Sequence, residues 1–343
     1  MSCYYRTQPY AILRFVADSE ASEKAPLVSV VIPAYRAAQT ISATLDSVLS
    51  QTFRDYEIIV VNDGSPDSRE MEQTLAPYRG RITYFCQDNQ GPAGARNTGI
   101  RAARGEYIAL LDSDDLWEPE HLTAQMAVLQ GDRSIDMVYA DARFFGDPLS
   151  EGRTVMDLCP SAGEVTFESL VMRTCTVHIC VSVVRRQTLL DAGLFDPAFR
   201  GTEDIDMWLR IVRRGGRIAY QRRVLGRYRR QAGSLSSNPI PMIEGFLAVL
   251  AKAASDVGLT PAERNAIERQ CATQRAALAL EQGRKAFLAG DTDAAISGLS
   301  RANEHYKSAR LTAILMLLRV APRLLQGVYQ WRDRHIYKLK TES

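Results

Sequence analysis

Five apolar runs rich in Val and Ile organise the first half of this chain: VSVVIPAY (28–35), YEIIVVNDGS (56–65), RITYFC (81–86), EYIALLDSDD (106–115) and IDMVYADARFF (135–145). Their apolar residues come in blocks rather than in alternation, the pattern of strands covered on both faces. Helical spacing fills the gaps. Thr40–Ser50 sets Ile41, Leu45, Val48 and Leu49 on one face. Arg69–Ala76, the glycine-rich 91–103 and Glu118–Leu129, with Pro119 in its first turn, read as further helices. Strands alternating with helices predict an α/β fold with a mostly parallel central sheet flanked by helices. Ligands of such sheets lie outside the carboxyl ends of the strands. Polar or acidic turns follow three of the runs: NDGS (62–65), DNQG (88–91) and DSDD (112–115). Acid groups therefore gather where a ligand would lie.

The overall charge of +2 gives no reason to expect nucleic acid as a partner. Charge is unevenly spread, however: Met207–Arg230 holds nine arginines and no acid. The cysteines at 3, 86, 159, 175, 180 and 271 are scattered and form no CxxC, so they read as reduced thiols, which points to the cytosol. Residues 1–26 lack periodicity and an apolar core of signal-peptide length, and read as a mobile lead-in. LTAILMLL (311–318) is far shorter than the roughly 20 apolar residues of a spanning helix.

Beyond about Asn238 the chain turns rich in Ala, Leu and Gln and reads as an all-helical extension, 239–343. Within 277–306, Gly283, Ala286, Gly290-Asp291, Ala294-Ala295 and Ala302 sit where two antiparallel helices would touch, resembling a single tetratricopeptide repeat. The stretch 308–340 mixes Leu, Ile and Met with Arg, Lys, Tyr329, Trp331 and Tyr337, and Pro322 should kink or end its helix. A membrane-interface helix and a helix packed on the rest of the protein both fit it.

The densest chemistry is LDSDDLW (111–117). Asp112 and Asp114 offer hard oxygens suited to Mg²⁺ or Mn²⁺, ions that also bind substrate phosphates. Helix capping accounts for one acid of the three, and Asp115 is the expected cap. Asp63 reads either as an Asx-turn or as an acceptor for a base N–H. Arg96, inside GPAGARNTG, reads as a helix-start arginine or as a fork of donors for phosphate.

VSVVIPAY, VVNDGSPD (60–67), GPAGARNTG (91–99), LDSDDLW, GLFDPAFRGTEDIDMWLR (193–210) and YRRQAGSLS (228–236) follow in order the motifs of family 2 inverting glycosyltransferases of the GT-A fold, which the chain resembles over about 27–238. The resemblance implies a glycosyltransferase domain of the hexosyltransferase type. It would take a nucleotide-diphosphate sugar, uridine-linked, as donor and a growing surface polysaccharide or lipid-linked glycan as acceptor, working in the cytoplasm or peripherally on the inner face of the membrane. By the same resemblance, Pro33, Tyr35 and Asp63 contact the base and Arg96 lies near the diphosphate. Asp112 and Asp114 form the Asp-x-Asp pair, with Asp114 on the Mn²⁺ or Mg²⁺. Glu203-Asp204 is the acid pair with Asp204 as general base, and Trp208 borders the acceptor. Such a transfer leaves charge on the departing phosphate, which a metal and Arg96 would neutralise while the base takes the acceptor's proton. A second role fits Glu203 and Asp204 equally, as acids favoured in a helix's first turn.

The chain departs from the family at Gln231, where relatives carry a histidine, leaving Arg229 and Arg230 to supply part of the electrostatic role. His178 reads as a core or acceptor-edge residue of the TVHICVSVV strand. Two rival readings remain: a catalytically silent nucleotide-sugar-binding or scaffold protein, and a nucleotidyltransferase. The latter would want a glycine-rich loop after the first strand, where IPAYRAAQT has none.

Overall fold

A computed structural model describes residues 24–148, 150–231, 238–325 and 327. The chain divides into two compact units, Met1–Ser237 and Asn238–Ser343.

In the first unit the elements run β1 (Val28–Ala34), α1 (Ile41–Leu49), β2 (Tyr56–Asp63), α2 (Ser68–Leu75), β3 (Thr83–Gln87), α3 (Gly91–Ala102), β4 (Tyr107–Leu110), β5 (Leu116–Trp117) and α4 (His121–Gly131). They continue with β6 (Met137–Phe145), α5 (Val155–Leu158), α6 (Phe167–Val171), β7 (Ser182–Arg185), α7 (Arg186–Asp191), α8 (Glu203–Arg213) and β8 (Ile218–Arg229). One sheet forms in the order β3-β2-β1-β4-β7-β6-β8-β5. β1 to β4 are mutually parallel, and β7 runs antiparallel to both β4 and β6. β8 lies parallel to β6. Two reversals cancel, so β6 and β8 point the same way as β1–β4, and Ala34, Asp63, Gln87, Leu110, Phe145 and Arg229 end on one rim.

The sheet is therefore mixed, and its parallel half is what the unbroken Val/Ile runs required. Val28, Val30 and Ile32 of β1, Ile58 and Val60 of β2, and Ile41, Leu45 and Val48 of α1 join one core with almost no exposure. Each such side chain contributes about 1.5–3 kcal/mol. The fourth run is shorter than its sequence suggests: strand pairing stops at Leu110, DSDD leaves the sheet, and the chain returns as the two-residue β5, antiparallel to β8. Helix α4 starts at His121 rather than at Glu118. In TVHICVSVV, a 3₁₀ turn takes Ile179–Val181 and only Ser182–Arg185 is strand.

In the second unit α9 (Pro239–Ala254), α10 (Pro261–Leu288), α11 (Thr292–Tyr306) and α12 (Ala309–Val320) follow one another. α10 and α11 make an antiparallel hairpin whose contact is glycine on glycine: a Cβ on Gly298 would sit 2.7 Å from Gly283 Cα. Asp291 caps α11 by accepting from Ala294 N–H at 3.0 Å. On α12, Leu315 and Leu318 pack with Leu299, while Met316 and Val320 face solvent. Pro322 stands just past Ala321, which caps α12. The lead-in up to residue 23, and residues 326 and 328–343 of the tail, fall outside the described residues. Among the described residues no helix is long and apolar enough to cross a membrane.

Helix α3 lies close on β1 because Gly99 has no side chain: a Cβ there would meet Val31 Cγ1 at 2.4 Å. Valine is stiff at χ1 and cannot step aside. Gly99→Ala is therefore expected to lower unfolding free energy by about 1–3 kcal/mol, despite alanine's better helix propensity, as measured by urea denaturation.

Candidate active site

Helix α3 lies behind the rim and distributes its side chains to three parts of it. Pro92 occupies the first turn, and Gly91 takes a left-handed φ of 76° that starts the helix directly after the loop. The tetrapeptide Ala95–Thr98 is buried throughout.

Arg96 is 4% exposed and splits its fork. Nη1 donates to Glu203 Oε1 at 2.6 Å and Nη2 to Asp112 Oδ1 at 2.6 Å. Burial alone would loosen the guanidinium's proton, but Asp112 and Glu203 outweigh it and raise the pKa. Asn97 clamps the backbone of Phe195, donating to its carbonyl at 2.7 Å and accepting its N–H at 2.9 Å. Thr98 donates to Gln87 Oε1 at 2.6 Å, and Gln87 Nε2 donates to Asp63 Oδ1 at 2.7 Å. Asp63 Oδ1 also accepts from Gln90 N–H at 2.9 Å. One helix turn thus fixes Asp63, Asp112 and the acid pair together.

Asp112 is half-exposed, whereas Asp115 is 0% exposed. Thr44 Oγ1 lies 3.0 Å from Ser113 O and 2.9 Å from Asp115 O, holding the loop from α1. Asp115 Oδ1 accepts the backbone N–H of Arg229 at 2.8 Å. The expected helix cap is therefore a buried strut: α4 begins too late for Asp115 to reach it, and Glu120 stands at the cap position. Burial, then Asp114 and Asp112, raise the Asp115 pKa well above the ordinary carboxylate range. Asp114 is pushed up to about 6 by burial and then by Asp112.

Glu203 and Asp204 open α8. Both Glu203 oxygens are engaged, Oε1 by Arg96 and Oε2 by Gly201 N–H at 2.6 Å. Asp204 keeps partial exposure, and burial followed by Glu203 pushes its pKa up to about 7. Trp208, expected at an acceptor border, is 1% exposed and meets Phe195 edge to face at 6.2 Å. It lies one turn beyond Asp204 on the inner face of α8, packed against Phe195. Its indole N–H has no acceptor among the described residues.

At the end of β1, the strand beside β4, Pro33 is half-buried and Tyr35 is 47% exposed, with Arg36 beside its ring. Arg36 takes a left-handed φ of 54° and its N–H donates to Ser65 Oγ at 2.6 Å, tying the β1 and β2 turns together. His178 is half-buried, 2.9 Å from Cys180 Sγ through Nδ1 and edge-on to Tyr228 at 4.5 Å. Burial pushes its pKa down to about 4 against the pull of Asp112 and Asp141, so it is neutral at neutral pH. Gln231 is exposed, and residues 232–237 after it lie outside the described residues. Sequence reasoning missed Gln87, Thr44 and the clamp of Asn97. The signal available for the last was its position beside Arg96 in ARNT.

The carboxylates Asp112, Asp114, Asp115, Glu203 and Asp204 exceed the cations Arg96 and Arg229 set among them. Three of the five have raised pKa values, first because they are buried and then because the other carboxylates lie close. Hard, half-exposed carboxylate oxygens in such a field suit a divalent ion. Asp114 fits it best, since Asp112 is already paired with Arg96. Among the described residues no three His, Cys, Asp or Glu side chains converge into a metal site, so phosphate oxygens and water would complete the shell.

Comparison with known proteins bears on the family and the fold. The family model described as Glycosyl transferase family 2 matches residues 29–180. The Escherichia coli enzyme named UDP-Glc:alpha-D-GlcNAc-diphosphoundecaprenol beta-1,3-glucosyltransferase WfgD is 32% identical over 214 residues, which cover 62% of this chain and 80% of that one. The chain belongs to glycosyltransferase family 2. An uncharacterized glycosyltransferase of Rickettsia felis is 32% identical over 190 residues, 55% of this chain, and the chain spans only 32% of that relative's length. The fold is also that of a Pyrobaculum calidifontis mannosyltransferase solved with GDP-Man and Mn²⁺, with a TM-score of 0.59, 19% identity, and coverage of 94% of this chain and 87% of that one.

Breaking the Arg96 bridge should be costly. Arg96→Met leaves Glu203 buried without its counter-charge, and a loss of about 3–5 kcal/mol in unfolding free energy is expected. Arg96→Lys, a point charge unable to span both carboxylates, should lose less but still measurably in the same denaturation experiment.

Proposed function

We propose that the unit ending at Ser237 is the catalytic domain of an inverting glycosyltransferase that moves a sugar from a nucleotide diphosphate, uridine-linked, to a hydroxyl of a polysaccharide or lipid-linked glycan. The observation that carries this reading is the single Arg96 guanidinium joining Asp112, at the end of β4, to Glu203, beside the half-exposed Asp204. It sets a donor-side acid and a carboxylate with the pKa of a working base at fixed spacing on one rim.

In this reading Tyr35 and Pro33 flank the base. Asp63 accepts a base N–H through Oδ2, the oxygen not used by Gln87 or Gln90. Asp112 faces the ribose or sugar and Asp114 holds Mn²⁺ or Mg²⁺. The ion, when bound, supplies positive charge to the diphosphate. Asp204 hydrogen-bonds the acceptor hydroxyl and removes its proton as the hydroxyl oxygen bonds to the anomeric carbon from the face opposite the diphosphate. The anomeric carbon–oxygen bond breaks with its electron pair leaving on the diphosphate, and configuration inverts. Glu203 touches no substrate: it anchors Arg96 and, added to the larger effect of burial, its charge keeps Asp204 basic enough to accept a proton near neutrality. WfgD's name specifies a uridine-linked donor and a diphospholipid-linked acceptor, which supports the donor and acceptor classes named here. The exposed Met316, Leu317 and Val320 of α12, with Arg319 among them, support peripheral contact with a membrane carrying such an acceptor.

Asp204→Asn should cut transfer by roughly three orders of magnitude or more while binding of uridine diphosphate, measured by calorimetry, stays within about twofold. Loss of nucleotide binding in that variant would count against the base assignment. A base must be ionised, so kcat/KM should fall as pH drops below about 7 and level off above it. Folding linkage has the opposite sense. A carboxyl raised from 3.8 to about 7 holds its proton more tightly when folded, so ionisation costs stability as pH rises through that window. Asp204→Asn should therefore raise Tm at pH 8 by on the order of 2–4 °C and leave it unchanged at pH 4.

A further inference from the structure

Strand β7 is where the sheet reverses, and the segment leading into it lies between the acidic loop and β6. Ser182 stands opposite Leu110 of β4 on one side and Tyr139 of β6 on the other. Before Ser182 the pairing stops, and the 3₁₀ turn Ile179–Val181 packs against β4, β6 and β8. His178 leads into that turn, and its carbonyl accepts from Ser182 Oγ at 2.7 Å. The ring is held as well: Nδ1 lies 2.9 Å from Cys180 Sγ, and Tyr228 of β8 meets it edge-on at 4.5 Å. Asp112 and Asp141 are the charged groups acting on it, Asp112 the more strongly. Nε2 has no partner among the described residues, and the side chain keeps partial exposure.

The chemistry that this nitrogen fits follows from its neighbours. The imidazole is neutral at neutral pH, and the two carboxylates repel an anion from its vicinity. Cys180 is 1% exposed and burial raises its thiol well above the usual range, so the thiol keeps its proton. Whichever of thiol and imidazole donates to the other, Nε2 is left as an N–H or as a lone pair. A hydroxyl both donates and accepts, so it satisfies Nε2 in either tautomer. Nearby groups are committed elsewhere. Asp141 Oδ1 accepts Ala142 N–H at 2.8 Å and Met156 N–H at 3.2 Å, and Asp112 Oδ1 accepts from Arg96 at 2.6 Å.

We propose that His178 Nε2 hydrogen-bonds a hydroxyl of the sugar carried by the donor, which makes His178 a residue that selects among donor sugars. This rests on the glycosyltransferase reading above, in which Asp112, the acid that acts on it most strongly, faces the ribose or sugar. His178 moves no proton. Cys180 and Tyr228 fix the ring before substrate binds, so a sugar lacking a hydroxyl at that point leaves Nε2 unpaired and is disfavoured.

Calorimetric binding to the full chain, with Mn²⁺ and no acceptor, tests this with uridine diphosphate, guanosine diphosphate and their glucose, galactose, N-acetylglucosamine and mannose conjugates. His178→Asn keeps a polar atom at the Nδ1 position for Cys180 and has none at Nε2. It should weaken the conjugate that the wild type binds best by about 3- to 10-fold, while the parent diphosphate stays within about twofold. His178→Gln, whose amide reaches the Nε2 position, should bring that conjugate back to within about twofold of the wild type. His178→Phe keeps the edge contact with Tyr228 and has no nitrogen; it should behave as the asparagine variant and serves if that one fails to fold. Equal weakening of diphosphate and conjugate would reduce His178 to a support of the rim and overturn the proposal. Unchanged conjugate affinity in the asparagine or phenylalanine variant would also overturn it, leaving the imidazole to the acceptor or the core. So would a glutamine variant no better than the asparagine one, or a wild type that binds a diphosphate and none of its conjugates. Failure of the wild type to bind any diphosphate would instead defeat the glycosyltransferase reading itself, and the proposal with it.

Discussion

One buried guanidinium governs the arrangement of this site. Arg96 reaches two carboxylates from different parts of the chain, Asp112 after β4 and Glu203 at the start of α8. Removing those charges from water is expensive, and only simultaneous pairing offsets it. The guanidinium can stay buried only while β4, α3 and α8 keep their spacing. Asn97 and Thr98 extend the same logic, clamping Phe195 and reaching Asp63 through Gln87. A single helical turn therefore sets the distance between the end of β2, the acidic loop and the acid pair.

The division of labour among the acids follows from their environments. Glu203 is paired with Arg96 and serves as an anchor; Asp204, one position on, has its pKa raised by burial and then by Glu203. Asp115 disappears beneath its loop while Asp114 stays reachable. Five carboxylates around two arginines leave negative charge that an incoming cation would relieve, which is why a divalent ion suits the rim although no preformed cage exists among the described residues.

Much of this could be read from sequence because the signals were local. Unbroken Val/Ile blocks specify buried strands, and βαβ alternation places their ends together, so the rim and its acids were legible. What was hidden depends on tertiary context. VSVV looks the same in a parallel or an antiparallel strand, so the reversal at β7 left no trace in the residues. Asp112, Asp114 and Asp115 are chemically identical in sequence; only the distance from β8 shows that Asp115 is a strut. Trp208 sits at a position compatible with either face of α8, and only the fold shows that it packs against Phe195. Arg229 was visible as one cation among nine, and its backbone bond to Asp115 emerges only when β8 is laid beside the acidic loop.

The most direct test of the central claim is the stereochemistry of the product. Proton NMR of the glycoside formed from a nucleotide-diphosphate sugar, compared with the donor, reports the anomeric configuration. Displacement assisted by Asp204 predicts complete inversion. Retention of the donor's configuration would contradict the account, because one base acting opposite the leaving group cannot produce it.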